Sequence, residues 1–334
     1  NLRFTKSGKL LLDKWFRSPG EFWAPASSMA GLRMVAALAV ILGLPIETID
    51  LDSAYLQTYV KTEAVDYLEL VPEVIEAMTE DWQIEIEKAR EVDRSMGGSG
   101  EVVFPLVKNM YGKTPSGKNF INDLQTHLEQ LGWKRMPHCP GSFLKFCPIT
   151  GLPQMLANYV DDFAAVMTDE SRANEWNALA QSWKFDPPRR SERFLGIEMR
   201  YPDPKNLRCL ELEQCGYLDV VIGRYEKARG ITVPPLMHLP ADEPPWPEGL
   251  DSKGNHTGAS AGSGKECGTI VRQAIGGIAY AARGDRLDLM KAFHTLARRV
   301  TKWDDEAEKF LKKVLGYCKH TLNKGLCMDA TGTC

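Results

Sequence analysis

Two apolar runs meet at a pair of acidic residues near the middle of this chain. Met155-Leu156-Ala157-Asn158 leads into Tyr159-Val160-Asp161-Asp162, and Phe163-Ala164-Ala165-Val166-Met167 follows at once. Apolar segments of this length and composition predict strands, and two of them joined through so short a polar step predict a hairpin with carboxylates at its tip. Adjacent carboxylates repel and raise each other's pKa unless a cation lies between them. A divalent metal site offsets that cost. The alternative, a solvated turn, leaves the repulsion without a purpose.

A metal site for phosphate chemistry needs a further carboxylate from elsewhere in the chain, and Asp50 is the best placed. It ends Ile46-Glu47-Thr48-Ile49-Asp50, which follows an apolar, helix-periodic segment from Ser28 to Leu44. Asp52 reads as a turn residue. Mg²⁺ keeps several waters and binds through few carboxylates plus substrate phosphates, so Asp50, Asp161 and Asp162 suffice as its protein ligands. A calcium loop starting at Asp50 fails, because Tyr55 stands where its glycine is needed and Lys61 where its last acidic ligand is needed.

Gly112-Lys113-Thr114-Pro115-Ser116-Gly117-Lys118-Asn119 approaches the phosphate-binding P-loop, with a strand-like run at Val102–Val107 before it and a helix from Phe120 to Gly132 after it. A P-loop nucleotidase is therefore a rival reading. Asn119 in place of the Mg²⁺-binding hydroxyl and Pro115 inside the loop, which removes an N–H, count against it. Ser116 and Gly117, at a helix N-terminus, remain candidates to donate N–H groups to a triphosphate or template.

A family resemblance connects these pieces. Trp23-Ala24-Pro25-Ala26, Leu32-Arg33-Met34-Val35-Ala36-Ala37-Leu38-Ala39, Asp50-Leu51-Asp52-Ser53-Ala54-Tyr55-Leu56, Leu106-Val107-Lys108-Asn109-Met110-Tyr111-Gly112, Tyr159-Val160-Asp161-Asp162, Phe194-Leu195-Gly196-Ile197-Glu198, Gln273–Tyr280, Arg286-Leu287-Asp288-Leu289 and Val314–Leu322 occur in the order of, and resemble, the motifs of copia-type retrotransposon reverse transcriptases, the reverse transcriptase region of the Pol polyprotein. The resemblance implies an α+β right-hand polymerase with fingers, a ferredoxin-like palm and a helical thumb or connection. Fingers and palm would occupy residues 1–200, the start of the thumb 201–240, a linker 241–268 and the helical thumb or connection region 269–334, with an RNase H domain absent. It also implies an RNA-directed DNA polymerase that transfers a nucleotide from a dNTP to a primer 3′-hydroxyl on an RNA or DNA template. Asp50, Asp161 and Asp162 would hold two Mg²⁺ ions, with Mn²⁺ as a substitute. Tyr55 would pack under the sugar of the dNTP and exclude a 2′-hydroxyl. Ser53 and Ala54 would offer N–H groups to the triphosphate, and Leu195, Gly196 and Ile197 would form the primer grip. The glutamine that the family carries after Tyr111-Gly112 is missing here. That departure supports a second reading, a weakened or inactive descendant that binds nucleic acid without catalysis.

Composition sets outer bounds. The chain's 334 residues, 43% of them hydrophobic, suit several subdomains around a substantial core. No apolar stretch reaches a membrane span and no signal peptide is evident. The eight cysteines contain no C-x-x-C, which fits a reducing interior rather than secretion. The expected location is intracellular, in a cytoplasmic particle or the nucleus. The chain does not begin with Met, as an excerpt of a longer protein would not, and protease, integrase or RNase H domains of the same polyprotein are expected partners. A net charge of −3 is low for a nucleic-acid binder. The expected phosphate-facing charge is therefore local, on the C-terminal helices with Arg298, Arg299, Lys302, Lys309, Lys312, Lys313, Lys319 and Lys324.

Overall fold

A computed structural model describes residues 26–61, 67–245 and 267–332. Trp23, Ala24 and Pro25 of the opening motif, and 246–266 of the expected linker, lie outside the described residues. Ser28 caps the first helix, α1 (Met29–Leu42), by accepting the Gly31 N–H at 3.4 Å, and Gly43 closes it in the left-handed conformation (φ 66°). Leu32, Val35, Ala36, Ala39 and Val40 recur at helical spacing and are all buried, so α1 presents one apolar stripe. The chain then turns into β1 (Ile46–Asp50). A peripheral stretch follows, made of β2 (Tyr67–Glu69), α2 (Pro72–Glu76), α3 (Glu80–Ser95) and β3 (Val103–Pro105), with β2 and β3 paired antiparallel. Only Ile86 of α3 is buried, as its Glu-rich composition requires.

Next come α4 (Thr114–Gln130), β4 (Lys134–Arg135), β5 (Ser142–Phe146), β6 (Pro153–Tyr159), β7 (Asp162–Val166), α5 (Asp169–Ala180) and β8 (Arg189–Arg190). They complete a six-stranded antiparallel sheet of order β4-β5-β6-β7-β1-β8. Strand alternation decides its two faces. Ile46, Met155, Ala157, Ala164 and Val166 join the core beneath α1, while Ile49, Leu156, Phe163 and Ala165 join Phe120 and Leu124 of α4 and Trp176 and Leu179 of α5. A sheet covered on both faces in this way holds its strand ends in fixed register.

The remaining elements are β9 (Arg193–Phe194), β10 (Ile197–Arg200), β11 (Cys209–Glu213), α6 (Cys215–Arg229), α7 (Thr269–Gly284), α8 (Met290–Ala297), α9 (Asp305–His320) and β12 (Leu326–Asp329). Helices α6 to α9 share one core, including Leu218, Ile222, Tyr225, Ile278, Leu311 and Val314. Two differences from the expected layout stand out. The C-terminal region is not helical to its end. Instead β12 returns to pair with β11, from Cys209 opposite Asp329 to Leu212 opposite Leu326, and Leu326 and Met328 pack on the α1 core. The start of the expected linker is docked as well. Lys291 donates to the Ala241 carbonyl at 3.1 Å, and Arg298 holds Glu243 through contacts of 2.8 and 2.9 Å. Among the described residues no helix is long and apolar enough to cross a membrane.

Candidate active site

Strands β6 and β7 form the expected hairpin, with Tyr159 opposite Asp162 and a two-residue turn at Val160-Asp161. Val160 adopts φ 59° while Asp161 does not take a positive φ, which is the pattern of a II′ turn, where glycine normally sits first. Fully buried Asn158 braces the turn by donating from its side chain to the Val160 carbonyl at 3.0 Å. Asp50 lies opposite Asp162 in the β1–β7 ladder, and the Leu51 N–H donates to the Asp161 carbonyl at 3.0 Å. Backbone pairing alone thus gathers all three aspartates at one end of the sheet.

Their electrostatics follow from that placement. Burial pushes the Asp50 carboxyl up, and Asp161, Asp186 and Asp52 push it further, with Arg189 acting in the opposite sense. Burial likewise raises Asp162, reinforced by Asp161 and Asp50. Asp186, whose N–H donates to the Asp50 carbonyl at 3.2 Å, belongs to this acidic end and escaped the sequence reading. Its only local signal is its position after the α5 helix. Among the described residues only Glu198, Glu213 and Cys215 bring three potential metal-ligand atoms within 4.8 Å of one another. The three aspartates are spread more widely than that, so they do not form a closed cage for one ion.

Ser53 (φ 47°) opens a short 3₁₀ turn over Ala54–Gln57. Its carbonyl accepts the Leu56 N–H at 2.8 Å, and Ala54 is fully buried. Gln57 clamps the turn to the chain after α5 by donating to the Lys184 carbonyl (2.8 Å) and accepting its N–H (2.7 Å). Half-buried Tyr55 stacks on Tyr111, with ring centroids 4.5 Å apart and planes at 27°, and leans on Phe120 at 5.5 Å. Burial and the nearby Asp161 raise its phenol pKa. Tyr55 therefore stands beside the aspartates, and Tyr111 joins it as a residue without an assigned role.

The 112–119 segment behaves differently. Ser116 is fully buried, its N–H donates to the Lys113 carbonyl (3.1 Å), and its hydroxyl accepts the Met110 N–H (3.2 Å). The groups offered to a triphosphate are already used inside the protein, so Ser116 is a structural residue. Gly117 sits half-buried in the first turn of α4. Asn119 donates to Asn109 (3.0 Å), which in turn donates to the Thr58 hydroxyl (2.8 Å). The strand before the segment, β3, belongs to an antiparallel two-stranded ribbon. A P-loop springs directly from a strand of a βα unit, so the geometry contradicts the P-loop reading.

The 194–197 segment forms a tight hairpin. Phe194 pairs with Ile197 across Leu195 (φ 49°) and Gly196 (φ 72°), consecutive positive φ angles that define a I′ turn. The Tyr280 hydroxyl donates to the Leu195 carbonyl and fixes the turn against α7. A cleft of about 360 Å³ runs from Asp50 and Asp162 past Arg189 and Arg193 to Leu195 and Gly196. Ile197 is fully buried in the core and does not line it, so of the three expected grip residues two reach the cleft. Among the described residues the non-glycine positions with positive φ are Ser53, Val160 and Leu195. Each lies in a segment singled out from sequence, and strained backbone of this kind concentrates at functional sites.

The expected basic face of the C-terminal helices is partly taken up by internal pairing. Arg299 is buried and donates to the Pro244 and Pro245 carbonyls, Lys309 pairs with Glu306 at 2.7 Å, and Lys319 pairs with Glu226 at 2.7 Å.

No protein-family model matches the chain. Over 314 residues it is 22% identical to the "Retrovirus-related Pol polyprotein from transposon TNT 1-94" of Nicotiana tabacum, a match that covers 93% of this chain and 21% of that polyprotein. The chain thus spans about a fifth of the length of the relative it matches. At this level the chain is similar to part of a retrotransposon Pol polyprotein.

Proposed function

We propose that the chain is the reverse transcriptase of a copia-type retrotransposon, a right-hand polymerase in which the six-stranded sheet is the palm and α6 to α9 belong to the thumb or connection. The observation that carries this reading is the register of β1, β6 and β7, which sets Asp50 opposite Asp162 with Asp161 in the adjoining turn. Carboxylates raised by burial and by one another are the donor set that divalent cations stabilise. Asp50, Asp161 and Asp162 would hold two Mg²⁺ ions, or Mn²⁺, and the wider spread of these carboxylates fits a site completed by substrate phosphates. When bound, the ions supply charge for activating the primer 3′-hydroxyl and for stabilising the leaving pyrophosphate.

The chain's own residues do the positioning. The Ser53–Gln57 turn sets Tyr55 beside Asp161, where its ring would meet a ribose 2′-hydroxyl and leave room for deoxyribose. The Leu195–Gly196 turn, fixed by Tyr280, would aim the primer end along the cleft toward Asp50 and Asp162. Ser116 favours the second reading, a descendant that binds template without chemistry, because the loop expected to meet the nucleotide spends its polar groups internally. Primer extension on an RNA template with Mg²⁺ and dNTPs separates the two, with primer–template binding measured in parallel. Extension by the wild type that Asp161→Asn abolishes supports the polymerase. Binding without extension by the wild type supports the second reading.

A further inference from the structure

Strands β11 and β12 bring two distant thiols together. The sulfur atoms of Cys209 and Cys327 lie 3.8 Å apart, although the residues are 118 positions apart in the chain. The register explains the contact. Cys209 stands opposite Asp329 and Glu211 opposite Cys327, so the two cysteines are diagonal neighbours on one face of the ladder. Leu210, Leu212, Leu326 and Met328 alternate with them and pack toward the α1 core, which leaves the thiols on the outer face. Cys327 is exposed and Cys209 half-buried, whereas Cys139, Cys147, Cys267 and Cys318 are buried.

Backbone contacts pin the register on both sides of the pair. Just past Cys209, the Ala330 N–H donates to the Arg208 carbonyl at 2.8 Å. At the other end Gly325 leads into β12 where an added Cβ would collide with the Leu212 carbonyl, a close approach that requires glycine. Bonded sulfurs are about 2 Å apart, so closing the pair asks for a shift of less than about 2 Å. That shift falls on a strand with a neighbour on one side only, since β12 is the edge of the order β12-β11-β10-β9. The same ladder is the entry and exit of the helical region. The chain leaves β11 into α6 and returns from α9 into β12.

We infer that Cys209 and Cys327 form a redox modification site, a dithiol that a low-molecular-weight disulfide oxidises to an intramolecular disulfide, stapling β12 to β11 and closing the segment that carries α6 to α9. Exposed Cys327 reacts first, because access sets which thiol is attacked or attacks. Its thiolate attacks one sulfur of the small disulfide, forms a mixed disulfide and releases one small thiolate. The Cys209 thiolate then attacks the Cys327 sulfur, forms the protein disulfide and releases the second small thiolate. The protein gives up two electrons to the small disulfide, and its two thiol protons end on the two small thiols. A cross-link that closes so long a loop restricts the unfolded chain, so the oxidised protein resists unfolding. The inference uses no part of the polymerase reading.

The test incubates the full chain in buffers of stepped oxidised-to-reduced glutathione ratio, quenches by thiol alkylation and digests without reduction for mass spectrometry. The peptides carrying Cys209 and Cys327 should be cross-linked in a fraction that rises with the ratio and vanishes with dithiothreitol. Cys209→Ser should stop at a glutathione adduct on Cys327. Cys334→Ser, at a position outside the described residues, should leave the cross-link unchanged. Oxidation should raise the urea midpoint of the wild type by about 1 M and leave that of Cys209→Ser unmoved. Circular dichroism establishes that each variant is folded. Glutathione adducts without a Cys209–Cys327 cross-link, or a cross-link from Cys327 to another cysteine in its place, overturn the site. A Cys209–Cys327 cross-link with an unmoved midpoint overturns the staple.

Discussion

Asp50, Asp161 and Asp162 crowd like charge onto one sheet end, whereas Arg286 and Arg299 in the helical region are each almost fully buried and surrounded by acceptors. Arg286 donates to Asp288 at 2.8 and 3.1 Å and to the Thr321 carbonyl and hydroxyl at 3.0 and 2.8 Å. Arg299 donates to the Pro244 and Pro245 carbonyls and to Asp304 at 3.4 Å. The helical region surrounds its two buried arginines with acceptors, and the sheet end leaves carboxylates in mutual repulsion and non-glycine residues at positive φ. Groups left in conflict lower stability until a ligand arrives, which is how binding and catalytic sites differ from structural networks.

The largest expected effect lies at the conflicted end. Asp50→Asn should reduce primer extension by about 10³-fold or more, corresponding to several kcal/mol of lost transition-state stabilisation, with primer–template affinity nearly unchanged. Retained extension would break the comparison, since Asp50 would then be a structural charge. Tyr55→Ala should raise ribonucleotide incorporation relative to deoxynucleotide by about 10- to 100-fold, read from kcat/KM for each. Unchanged sugar discrimination would return Tyr55 to a packing role against Tyr111 and Phe120.

The helical region carries an exception in Asp285 that sharpens the contrast. Asp285 is 3% exposed, accepts the Gln214 N–H at 3.1 Å, and burial pushes its carboxyl up to about 7. Its protonated form suits the folded state. The stability it allows is therefore fully present below its ordinary pKa of about 4 and is lost as pH rises through about 7. Urea midpoints should fall between about pH 5 and about pH 8 in the wild type and fall less in Asp285→Asn. An equal fall in both would show that another group sets the pH dependence. The smallest effect is expected at Gly196. Its φ of 72° and the Tyr280 hydroxyl 3.2 Å from an added Cβ make Gly196→Ala unfavourable by about 1 kcal/mol. That variant should also raise KM for primer–template more than for dNTP, and an equal rise in both would remove the turn from primer positioning.

Local chemistry made the central hairpin legible. Apolar runs on either side of Val160-Asp161 specify two strands and a turn without help from distant residues, and the helix before Ile46 places Asp50 at a strand end. Features set by tertiary pairing were not legible. Strand β12 forms because Leu326 and Met328 find the α1 core, a contact that Leu326-Cys327-Met328-Asp329 does not announce. Ser116 reads as an open helix N-terminus until Met110 and Lys113 are seen to occupy it, and Ile197 reads as a grip residue until the sheet buries it. Charge runs misled for the same reason. Arg298 and Lys319 look like a basic face until Glu243 and Glu226 are brought to them.

The central claim is that the three aspartates form a divalent-cation site, and Mn²⁺ binding tests it without relying on turnover. Electron paramagnetic resonance would count Mn²⁺ bound to the full chain carrying an RNA template, a 3′-deoxy-terminated primer and the next dNTP. About two ions per chain are predicted, with loss of binding in Asp50→Asn and Asp161→Asn. Mn²⁺ occupancy that is the same in the wild type and in both variants would contradict the account.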